Sequence, residues 1–101
     1  QAMPDLCARA FRIRPAPRVT WVVEDSGLVL FDGDERRSAL DTPEAALWDL
    51  LCRGVPWARL LRILAAAERI SESGAELLAS AAIAAWSREG WLVDDREAER
   101  A

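Results

Sequence analysis

The chain contains no histidine, no lysine and no tyrosine. The side chains most often used to move protons near neutral pH are therefore reduced to carboxylates and two thiols. All 13 basic residues are arginines, whose guanidinium stays protonated in proteins. Its five glycines are scattered singly at 27, 33, 54, 74 and 90, so no glycine-rich loop is present to cradle a phosphate. Cys7 and Cys52 are too few for a disulfide scaffold and read as reduced thiols of a cytoplasmic protein. No run approaches the ~18 apolar residues that a membrane-spanning helix needs. The acids Asp32, Asp34 and Glu35 cluster on a turn, where solvated carboxylates are ordinary. Catalytic residues, a metal site and a cofactor are accordingly not expected, and the chain reads as a binding module.

What is present suits one globular domain. The 101 residues are 51% hydrophobic with a net charge of −4, enough for a modest core. The acidic excess opposes a general polyanion partner. Charge is unevenly spread, with four arginines and one aspartate in residues 1–20 but eight acids and two arginines in residues 21–50.

Residues 1–18 hold three prolines and read as a partly ordered arm; Phe11 and Ile13 alternate with Arg12 and Arg14, the pattern of either a short strand or an arm lying on the domain. A β-branched and aromatic run, residues 19–24, predicts a strand. Asp25-Ser26-Gly27 predicts a turn, residues 28–31 a second strand, and Asp32-Gly33 a hairpin turn. Residues 36–40 then form a third, short strand, and two tight turns make the three an antiparallel meander.

Residues 40–54 are the best-punctuated helix. Asp41 or Thr42 can cap it, Pro43 suits its first turn, Glu44 complements the dipole and Gly54 ends it. Leu47, Leu50 and Leu51 mark its apolar stripe, with Trp48 at the flank. Pro56 opens a second helix to about Arg69, striped by Trp57, Leu60, Leu61 and Leu64. Residues 71–74 read as a loop, and a third helix runs from about Ala75 to Glu89. Trp91-Leu92-Val93 is an apolar tail able to pack back, and residues 94–101 are a charged tail. The expected architecture is α+β and winged-helix-like: a three-stranded meander followed by three helices.

Two features suggest what such a module binds. On a helical wheel, Ala75, Ala79, Ala82, Ile83 and Trp86 form one apolar arc of the third helix, and Leu77, Leu78, Ala81 and Ala85 form another. A surface helix needs only ~100° of apolar face. The second arc either packs elsewhere in the fold or receives a partner. The third strand lies at a sheet edge and carries Arg36 and Arg37 followed by the small Ser38 and Ala39. Such arginines either guard the edge against aggregation or complement an acidic extended peptide. Edge strand and apolar helix face together are the geometry of strand addition.

Several residues resemble the PqqD-like family, the peptide-recognition elements of ribosomal natural-product pathways. They are the paired strands at 19–24 and 28–32, Leu40-Asp41-Thr42 followed by Ala45, Trp48 and Leu51-Cys52-Arg53-Gly54, and Ile83, Trp86 and Arg88-Glu89-Gly90-Trp91-Leu92. The resemblance covers residues 19–93. It implies a non-catalytic domain that binds the leader segment of a precursor peptide and presents it to a modifying enzyme, such as a radical enzyme, a leader peptidase or a cyclase. By position, strand contacts would come from Arg36, Arg37, Ser38, Ala39 and Leu40, and helix contacts from Leu77, Leu78, Ala81 and Ala85. The arginines would meet acids and the helix would hold apolar anchors. Asp41 stands where the family commonly has Asn, and the third strand lacks aromatics.

Two other classes compete. A winged-helix DNA-binding protein would need base-reading side chains on the third helix, which offers Arg88 and no Asn, Gln or Lys. A structural or oligomerising subunit would pair the exposed edge with another copy, with Trp57 and Trp91 as anchors.

Overall fold

A computed structural model describes residues 13–25 and 27–94. Its elements follow the order β1 (Ile13–Pro15), β2 (Val19–Glu24), β3 (Gly27–Asp32), β4 (Arg36–Leu40), α1 (Glu44–Cys52), α2 (Trp57–Glu68), α3 (Glu72–Arg88) and β5 (Leu92–Asp94). The expected α+β arrangement is present: an antiparallel β2-β3-β4 meander followed by three helices. A second, two-stranded sheet joins β1 to β5, with Ile13 opposite Asp94 and Pro15 opposite Leu92. The apolar tail after α3 therefore packs back as a strand.

Turn chemistry sets the meander. Glu24 pairs with Gly27 at the first turn, and the register continues to Val19 opposite Asp32. Gly27 has a φ of +155°, and a Cβ there would collide with the Leu40 carbonyl oxygen, so glycine is required by close approach. At the second turn, the Glu35 N–H donates to the Asp32 carbonyl at 3.1 Å, and Gly33 sits at φ +57°. Val19 and Trp21 on β2, Leu28 and Leu30 on β3 and Leu40 on β4 pack on the helix side.

The core centres on Trp48, which is fully buried with Leu30, Leu47, Leu60 and Leu64. Trp21 meets it edge-on at 5.6 Å between ring centroids, and Trp86 does so at 5.2 Å. Aromatic packing rather than hydrogen bonding holds this side chain, because its Nε1 meets no acceptor among the described residues. Trp48 is thus the centre of the α1 contact surface, not its flank; Leu50 and Leu51 are half-buried. The reason is the company on either side, since α1 is wedged between the sheet's Trp21 and the Trp86 of α3.

Helix ends partly differ from expectation. Neither Asp41 nor Thr42 caps α1 with its side chain. The Asp41 main-chain carbonyl accepts from Ala45 N–H at 2.9 Å, and that of Pro43 accepts from Leu47 N–H at 3.0 Å. Gly54, at φ +72°, ends the helix as read. The residues 71–74 are not a loop: Ser71 Oγ accepts from the Gly74 N–H at 2.9 Å and starts α3 three residues earlier. Among the described residues no helix is long and apolar enough to cross a membrane.

Candidate functional site

Among the described residues β4 is paired on one side only, with β3, from Leu28 opposite Leu40 to Asp32 opposite Arg36. Which of its backbone groups are free follows from the ladder. The Leu40 carbonyl lies against Gly27 and so faces β3. Bonding residues alternate along an antiparallel strand. Leu40, Ser38 and Arg36 therefore bond to β3, while Arg37 and Ala39 turn their N–H and C=O groups toward the open edge. Both residues are exposed.

Beside this edge runs a groove of about 420 Å³, lined by Glu44, Leu78, Ala81, Ala82, Ala85, Trp86 and Glu89. The two ends of β4 bracket it. Glu44 follows the strand by one short turn. At the other end, Arg36 Nη1 donates to the Glu89 carbonyl at 2.6 Å, and the guanidinium lies 4.2 Å from the centroid of the Trp91 ring. The lining combines Leu78, three alanines and Trp86 with the acids Glu44 and Glu89. Side chains of a strand added to β4 would alternate between this groove and the outer sheet face.

The residues expected from the sequence divide accordingly. Leu78, Ala81 and Ala85 line the groove together, while Leu77 is 74% exposed and lies outside its lining. Ala75, Ala79, Ile83 and Trp86 are buried, as the first arc requires, and Ala82 is half-buried. Arg37, Ser38, Ala39 and Leu40 take alternate faces of β4. Arg36 is already engaged: besides Glu89 and Trp91, its Nη2 is 2.9 Å from Asp32 Oδ2. It thereby ties strand to helix. Sequence reasoning missed Glu44, Ala82, Trp86 and Glu89 as groove residues. Ala82 sits at the boundary between the two arcs, which was the available signal; Trp86 lies in the middle of the core-facing arc and gave none.

A second cleft of about 420 Å³ lies between β1 and the end of α1, lined by Ile13, Arg14, Pro15, Leu51, Cys52, Gly54 and Val55. Burial, with a smaller contribution from Asp49, pushes the Cys52 thiol up to about 12. A protonated thiol is neither nucleophile nor metal ligand at neutral pH. No group of three or more potential metal ligands occurs among the described residues.

Among solved structures, the chain is similar to lasso peptide synthetase B1 complexed with the leader peptide. The TM-score is 0.74 at 22% identity, over 81% of this chain and 98% of the other. The two share a fold. No family model and no curated protein matches the sequence.

Proposed function

We propose that this chain is a non-catalytic peptide-binding domain of the PqqD-like kind, which receives a leader segment of a ribosomally made precursor and delivers it to a modifying enzyme. The observation that carries this reading is the juxtaposition of an open β4 edge with a groove along α3 that mixes small apolar side chains with Glu44 and Glu89. The fold shared with lasso peptide synthetase B1, solved in complex with the leader peptide, supports it.

Binding would proceed by strand addition. Arg37 and Ala39 supply two N–H donors and two carbonyl acceptors, each bond contributing about 0.5–1.5 kcal/mol net. Alternate peptide side chains enter the groove, where a fully buried aliphatic anchor contributes about 1.5–3 kcal/mol. Exposed ion pairs add only about 0–1 kcal/mol each. Anchors and backbone therefore dominate affinity, and charge selects. The charge pattern favours an acid opposite Arg37 on the outer face. Glu44 and Glu89 favour a cation at either end of the groove-facing side.

Titration calorimetry and amide chemical-shift mapping with synthetic leader segments test this. Binding with shifts at Arg37, Ala39 and the 78–89 stretch is expected, with loss on Ala85→Glu. Shifts confined to another surface would refute the site.

A further inference from the structure

Helix α2 breaks local electrostatic preferences along its exposed face. A helix N-terminus favours acids and its C-terminus favours bases, each by about 0.3–1 kcal/mol. The first turn of α2 holds no acid but does hold Arg59, and no side chain caps its start; at the other end its last residue is Glu68, with Arg69 at the C-cap, where a base suits the dipole. Arg62 follows one turn after Arg59, so like charges neighbour each other on the exposed surface. Ile63, 41% exposed, and the exposed Ala66 lie on the same stripe, with Arg69 just past its end. Elsewhere, Arg18, Arg36 and Arg53 pair with Glu35, Asp32 and Asp49, while Arg37 and Arg88 stand singly on other elements. Arg59, Arg62 and Arg69 have no ion pair among the described residues. A chain of net charge −4 thus exposes an unpaired basic strip with apolar residues set into it. None of these residues lines the β4–α3 groove.

Helix stability does not explain this arrangement, since removing charge from the first turn would favour the helix. Local choices that oppose the fold are expected where a surface has another task. We infer that the α2 face is a protein-docking surface for an acidic patch bearing an apolar residue, on the enzyme to which the peptide is delivered. This rests on the delivery reading above, because a carrier whose groove is filled must be held by a different face. Complementary charge would steer the encounter, and Ile63 would give the contact its desolvated centre. A nucleic acid fits the strip less well: the apolar Ile63 and Ala66 interrupt the charges, and the net negative charge of the chain repels a polyanion.

The test uses the full chain, ¹⁵N-labelled. Its probe is a synthetic amphipathic helix with Glu and Leu on one face, beside a counterpart with Lys for Glu. Shifts at residues 59–66, with about tenfold weaker binding of the Lys peptide, are expected. Arg59→Glu/Arg62→Glu abolishes those shifts, while Arg59→Glu alone raises Tm by about 2–4 °C. A fall in Tm would show that Arg59 serves the fold, and overturns the inference. So does a probe that shifts no α2 amide, or duplex DNA that binds this face as tightly. Leader titrations read at Arg37 and Ala39 report on the groove alone. Retained leader binding in the double variant assigns the loss to α2, and absent leader binding in the parent chain identifies failure of the delivery reading itself.

Discussion

Trp86 stands edge-on to Trp48, with ring centroids 5.2 Å apart and planes at 89°, while also lining the groove beside β4. The candidate binding surface is therefore the outer wall of the core. An occupant of the groove touches a ring in contact with Trp48, the largest fully buried side chain among the described residues. Trp86→Phe keeps an aromatic edge and should cost under about 2 kcal/mol, whereas Trp48→Ala should cost about 3–5 kcal/mol, measured by urea unfolding. Peptide binding should alter the tryptophan emission of the parent chain and alter it less in Trp86→Phe.

A charged bulky side chain in the methyl-lined groove should matter more than loss of an edge arginine. Ala81→Glu or Ala85→Glu is expected to weaken peptide binding about 10–100-fold, against less than about fivefold for Arg37→Ala. Calorimetry on variants with native far-ultraviolet dichroism decides the order. Equal losses would mean that charge, not the groove, holds the peptide.

The ladder assigns different tasks to neighbouring positions of β4. Ala39→Pro removes an N–H that faces the open edge, so it should lower peptide affinity at small cost to stability. Ser38→Pro removes one that bonds to β3 and should lower Tm sharply. Thermal melts together with peptide titration separate the two. A large stability loss at Ala39 would reverse the ladder parity.

Cys52 makes a pH prediction of definite sign. Its ordinary pKa of 9.0 rises to about 12 in the fold. Between those values the unfolded chain has released the proton and the native chain has kept it. Its contribution to stability is thus present below about pH 9 and lost as pH rises toward 12. Cys52→Ala should flatten the alkaline fall of a Tm-against-pH profile. In a Cys7→Ser background, iodoacetamide should alkylate the native chain at pH 8.5 more than about tenfold slower than the urea-unfolded chain.

Much of the architecture was legible because it is local. Asp25, Gly27 and Gly33 mark the meander turns, Gly54 and Pro56 separate two helices, and Trp57, Leu60, Leu61 and Leu64 repeat with helical period. What escaped was decided by contacts distant in sequence. Trp48 reads as a flank on α1 alone and becomes the centre only when Trp21 and Trp86 close on it. The pairing of β1 with β5 joins opposite ends of the described chain, where short polar-apolar mixtures carry little signal. Ser71 was hidden by Gly74, which reads as a loop residue although its N–H is the one that Ser71 caps. In the candidate site, Leu78, Ala81 and Ala85 could be named from the wheel. Glu44 could not, since its place in a helix's first turn already accounts for it. Nor could the engagement of Arg36 be read, because its partners Glu89 and Trp91 meet it only through the fold.

The β1–β5 pair sets Ile13 directly opposite Asp94. Opposed residues in an antiparallel pair lie about 5 Å apart. The described segment therefore enters and leaves through one doorway, like a loop pinched at its base. A unit built this way can be spliced into a surface loop of another protein with little disturbance to either host or guest. Its two ends can equally be bridged by a short turn and the chain reopened at the Asp34 turn. Either rearrangement leaves the connection from β4 into α1 uncut.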